Sequence, residues 1–126
     1  MKTLNCIIVT GVNKGYFHNN EKEVTEKEMG ILWQEIALEQ FNKTNIYISA
    51  VIQKSITIYK EDWGCPKGGE NTFTISLTAN PEFIKDLDKW KQVAINCAKE
   101  LKNILKQTTM TIEFKEADLI YLKENK

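Results

Sequence analysis

The chain has 126 residues, 42% of them apolar, with 17 basic and 17 acidic side chains and no formal net charge. That length suits one domain spanning 1–126, and the composition excludes a disordered chain. The charge balance, with no basic stripe, excludes a protein that reads nucleic acid through its phosphates.

Cys6, Cys65 and Cys97 form no close pair, which fits a reducing compartment better than a disulfide framework. With one histidine, His18, the sequence cannot cluster the roughly four ligands of a zinc site. Neither a metal nor a cofactor is expected. The stretch from Leu4 to Val12 is too short for a signal peptide. No apolar run approaches the ~18 residues of a membrane helix, so a soluble cytoplasmic protein is expected.

In chain order, Leu4–Val12 is β-branched and predicts an inner strand. Asn13–Glu23 is a polar loop. Thr25 and Glu28 form a capping box, after which Met29, Leu32, Trp33, Ile36, Ala37 and Phe41 recur at helical spacing. Asn42–Asn45 stops that helix. Ile46–Tyr59 predicts a long strand with an isoleucine face and a Tyr/Ser/Thr face, bent or bulged where Lys54 interrupts the apolar parity. A turn-rich connection, Lys60–Gly69, leads to Glu70–Thr78, which alternates with Phe73, Ile75 and Leu77 on one side. Asn80-Pro81 reads as a helix start. The stripe from Ile84 to Leu105 predicts a helix to about Lys106, broken near Asp86–Asp88, since an unbroken one would span ~35–40 Å. Thr109–Phe114 is a last inward-alternating strand, and Ala117–Leu122 adds an optional edge strand.

The order strand–helix–strand–strand–helix–strand is the ferredoxin-like βαββαβ pattern of an α+β protein, with two helices on one face of an antiparallel sheet. The opposite face then carries Ser55, Thr57, Tyr59, Glu70, Thr72, Thr74 and Ser76. It is too long and mixed to be left wet, and by analogy with similar domains it predicts packing between subunits.

Tyr59 and Glu70 share that face near the hairpin loop. A carboxylate beside a phenol there holds either an ammonium group or a water, or it is simply a polar cross-strand pair at a sheet end. Gly11-Val-Asn-Lys-Gly15 either lets backbone N–H groups approach a ligand or forms a turn; it has neither a phosphate loop nor a dinucleotide fingerprint. Tyr16, Phe17 and His18 either stack on a purine or cap the core edge. Cys65, in Trp63-Gly-Cys-Pro, has no histidine in its own loop to activate it and reads as structural.

Around the hairpin the sequence resembles the bacteriophage enzymes that degrade S-adenosylmethionine (SAM lyases, formerly termed SAM hydrolases). Tyr59-Lys-Glu61 and Glu70-Asn-Thr-Phe-Thr-Ile75 carry the resemblance, with Glu70 eleven positions after Tyr59. The resemblance implies a homotrimer of ferredoxin-like subunits binding SAM between neighbours. It implies cleavage to methylthioadenosine and homoserine lactone by attack of the substrate's own carboxylate on its γ-carbon. Glu70 would then bind the substrate ammonium, with Tyr59 orienting it. The backbone at Thr10, Gly11, Val12 and Gly15, with Phe17 or His18, would hold the adenosine. A hydrolase would instead use Glu70 as general base and release homoserine. Two other classes stay open: a trimeric nucleotide-binding signalling regulator, for which Lys14, Lys60 and Lys67 are sparse, and a phage or host interaction protein without small-molecule chemistry.

Overall fold

The computed structural model describes residues 1–12 and 23–124. The elements are β1 (Lys2–Gly11), α1 (Glu26–Thr44), β2 (Val51–Thr57), a single 3-10 turn (Glu61–Trp63), β3 (Glu70–Thr78), α2 (Leu87–Ile104) and β4 (Thr111–Asp118). All pairings are antiparallel and the sheet order is β2-β3-β1-β4. Connectivity and order together are those of the split βαβ, ferredoxin-like α+β fold that the pattern predicts.

The predicted capping box closes α1 from both sides: Glu28 N–H donates to Thr25 Oγ1 (3.1 Å) and Thr25 N–H to Glu28 Oε1 (3.3 Å). At the other end Asn45 takes a left-handed conformation (φ 64°) and its N–H bonds Phe41 O. Asn80-Pro81 opens a turn rather than α2. Asp86 caps that helix instead, accepting from Lys89 N–H at 3.1 Å, so the break falls where helix length required it.

Register assigns the faces. Cys6, Ile8, Phe73, Ile75 and Leu77 turn toward the helices and are fully buried. They meet Trp33 and Ile36 of α1 and Trp90, Ala94, Cys97 and Leu101 of α2 in one core. Burial in this apolar medium pushes the Cys6 thiol up to about 11 and, with some help from the Glu100 charge, the Cys97 thiol up to about 12. Glu100 of α2 lies beside Glu39 of α1, itself 3.1 Å from Lys43. One Glu100 oxygen is buried without a hydrogen-bond donor.

Three further expectations, all about strands, are corrected. β2 begins at Val51, not Ile46, because the Trp33 indole N–H takes the Ile48 carbonyl (2.9 Å) and draws Ile46 and Ile48 under α1. There is no bulge at Lys54: β2 pairs residue for residue with β3. Lys54 tolerates the helix-facing parity because β2 is an edge strand, where its ammonium reaches Glu26 (3.9 Å). The two C-terminal strands are one, β4. Beyond it Leu119 exchanges hydrogen bonds with Met1, and Tyr121 packs edge-on against Phe83, so among the described residues no fifth strand forms.

Candidate functional site

The face away from the helices carries a hydroxyl ladder. Thr72 Oγ1 lies 2.8 Å from Ser55 Oγ and 3.0 Å from Thr57 Oγ1, and Thr74 Oγ1 donates to Ser55 Oγ at 2.9 Å. Parity places these side chains together, and their mutual bonds satisfy hydroxyls that are partly shielded from water.

At the hairpin end of this ladder Thr57 pairs with Glu70. Tyr59, two residues further on, keeps the same parity, and its hydroxyl donates to Glu70 Oε1 at 2.8 Å. Gly69 makes this return possible. It sits at φ 107°, and a Cβ there would run into Ile56 Cγ2 and fall 3.2 Å from the Thr57 carbonyl. Cys65, inside the loop, is buried, with its thiol bonded to Pro66 O (3.3 Å).

Tyr59 and Glu70 line a cavity of about 230 Å³ together with Val9, Thr10, Gly11, Thr57, Thr72, Gln107, Thr109, Met110 and Thr111. Among the described residues that line it there is no lysine, arginine or histidine, and Glu70 brings a carboxylate to it. Such a surface attracts a cation and repels phosphate.

Of the other sequence-predicted residues, Thr10 and Gly11 reach this cavity. Thr10 does so through its backbone, since its side chain pairs in register with Phe73 on the helix-facing side, is buried, and bonds Gly11 O (3.4 Å). Val12 goes elsewhere. It is buried in the core, its carbonyl accepts from Val24 N–H (2.9 Å), and it borders a neighbouring groove of about 530 Å³ with Glu23, Thr25, Lys54 and Asn71. Gly15, Phe17 and His18 lie outside the described residues.

Sequence reasoning missed Gln107. α2 ends in a Schellman motif: Lys106 N–H bonds Asn103 O (3.2 Å) and Gln107 N–H bonds Lys102 O (3.0 Å), with Lys106 left-handed at φ 53°. That reversal tucks the Gln107 side chain, buried, against Gly11. A non-glycine residue at a left-handed position gives no sequence signal, which hid it.

The fold and cavity define a small ferredoxin-like α+β protein with a carboxylate-bearing pocket on its open sheet face. Among solved structures, the chain is similar to a phage SAM lyase in complex with S-methyl-5'-thioadenosine (16% identity, 90% of this chain and 81% of that one, TM-score 0.56). It is similar in the same way to a phage SAM lyase in the apo state (17% identity, 91% and 81%, TM-score 0.57). At such identity these likenesses establish the fold. The sequence profile of the SAM lyase family matches residues 1–123, and the chain belongs to that family, a class of enzymes that cleave S-adenosylmethionine. No curated protein sequence matches it.

Proposed function

We propose that this enzyme degrades S-adenosylmethionine to methylthioadenosine and homoserine lactone in a pocket completed by a neighbouring subunit. The observation that carries this reading is the Tyr59–Glu70 pair, at 2.8 Å, in a cavity where no lysine, arginine or histidine stands among the described lining residues. Glu70 is poised to receive the α-ammonium of the substrate, and the Tyr59 hydroxyl holds the carboxylate in place while leaving its charge intact.

The substrate carboxylate attacks its own γ-carbon, a C–O bond forms, and the Cγ–S bond breaks. The electron pair moves to the sulfonium sulfur, giving the neutral thioether and the lactone, with no proton transferred. Nucleophile and leaving group share one molecule, so holding the folded conformer supplies much of the acceleration. Charge is cancelled along the way, which a partly dry pocket favours. A hydrolase route, with Glu70 as general base toward water, would release homoserine directly.

The cavity supports the shared pocket through its size. The described residues enclose about 230 Å³, below the ~300 Å³ at the small end of ligand pockets, which supports a second surface over a bound substrate. A homotrimer that covers the open face supplies one. A nucleotide-binding regulator would need cations for its phosphates, and the described lining residues offer none. The phage relatives of the fold support action in the cytoplasm of an infected host cell. Incubating the purified protein with S-adenosylmethionine and resolving products by chromatography tests the reaction. Methylthioadenosine with lactone is expected, and a rate equal to buffer refutes it. Light scattering tests the assembly, and a monomer at micromolar concentration rejects the shared pocket.

A further inference from the structure

Gly11 and Gln107 come from opposite ends of the chain and meet at the Glu70 cavity. A Cβ on Gly11 would fall 2.5 Å from Gln107 Oε1 and 3.3 Å from Gln107 Cδ, so the carboxamide occupies the space a side chain at 11 would fill. Gln107 Nε2 donates to Leu105 O at 3.2 Å, which fixes which end of the amide is oxygen and turns it toward Gly11. The residue is only 7% exposed. A buried amide at a ligand cavity, seated by a helix exit and by a missing Cβ, is more than loop polarity.

We propose that Gly11 and Gln107 act as one recognition unit, the Gln107 carboxamide oxygen being a second acceptor, beside Glu70, for the cationic amino-acid end of the substrate. The assignment rests on the S-adenosylmethionine reading and deepens it. An ammonium has three donors and one carboxylate does not exhaust them; an amide oxygen, with two lone pairs, accepts without adding charge. Gly11, which the sequence suggests for its backbone, is thereby required for the room it leaves.

The test uses Gly11→Ala, Gln107→Leu and the double variant, each checked by thermal melting. Gly11→Ala displaces the end of one flexible side chain and retains every core group, so it carries the test if Gln107→Leu folds poorly. Each single variant is expected to raise KM for S-adenosylmethionine about tenfold with a smaller change in kcat. Methylthioadenosine lacks the amino-acid end, and its binding to Gln107→Leu by calorimetry should stay within about twofold of wild type, while Gly11→Ala should weaken it less than it weakens S-adenosylmethionine. The double variant should be no worse than Gln107→Leu alone.

Equal weakening of methylthioadenosine would show a merely structural role, and additive losses would show that the two residues act separately. Either result overturns the assignment, as does an unchanged KM in an active enzyme. A wild-type protein that leaves S-adenosylmethionine intact overturns the reaction itself, and this assignment with it.

Discussion

Replacing Glu70 with glutamine removes one charge and almost nothing else. The amide keeps an oxygen for the Tyr59 hydroxyl now 2.8 Å from Glu70 Oε1, so the hairpin end stays closed. The loss of the charge-assisted part of that bond costs about 0.5–1 kcal/mol, a fall in Tm of about 2–6 °C. The effect on the reaction should be larger. Two unit charges about 4 Å apart interact by about 4 kcal/mol at an effective dielectric of ~20. Glu70 is half-buried beside open solvent, which reduces this to about 2–3 kcal/mol. At 1.36 kcal/mol per decade, kcat/KM should fall about 30- to 150-fold. Initial rates of methylthioadenosine formation over a range of S-adenosylmethionine concentrations measure it, with circular dichroism and light scattering as controls for fold and assembly. A Glu70→Gln enzyme within about threefold of an active wild type would remove the carboxylate from substrate binding and refute the charge argument.

Tyr59→Phe deletes the donor but leaves the carboxylate, so kcat/KM should fall only about tenfold, by the same product assay. Burial and the adjacent Glu39 hold the Glu100 carboxyl above its ordinary range. The folded state therefore binds this proton more tightly, and the stability it contributes, full below the unfolded pKa, is lost as pH rises through the folded one. Glu100→Gln should melt about 4 °C above wild type at neutral pH, where the donorless buried oxygen costs most, and match it near pH 4. Gly69→Ala puts a methyl against Ile56 and the Thr57 carbonyl at positive φ, and denaturant titration should show a loss of about 1–2 kcal/mol. Cys6 and Cys97, their thiols raised to about 11 and about 12, should resist a thiol reagent at pH 8 until guanidinium unfolds the chain.

The sheet was legible because its parity is strict. Phe73, Ile75 and Leu77 against Thr72, Thr74 and Ser76 leave one way to face the helices, and the Thr25/Glu28 box fixes where α1 starts. The Tyr59–Glu70 contact followed from the same parity. What local pattern could not show depends on distant partners. Ile46 and Ile48 alternate like a strand, yet an indole fifteen residues away claims the Ile48 carbonyl. Gln107 sits in a polar stretch that reads as an ordinary turn, and its placement depends on a left-handed lysine and on a glycine nearly a hundred residues earlier. Thr10 and Val12 flank Gly11 in the sequence, but the side chains of both are buried, Thr10 in register with Phe73 and Val12 in the core.

The Thr57–Glu70 register, more than the loop it closes, sets where Tyr59 and Glu70 meet. The stretch from Glu61 to Lys67 connects the two strands without lining the cavity. Each doubling of such a loop costs only about 0.6 kcal/mol in closure entropy. The hairpin therefore separates inheritance into two parts: a ladder whose spacing must be kept, and a tip free to gain, lose or exchange residues. New contacts, to another subunit or to a host component, can be tried at that tip without resetting the chemistry beneath it.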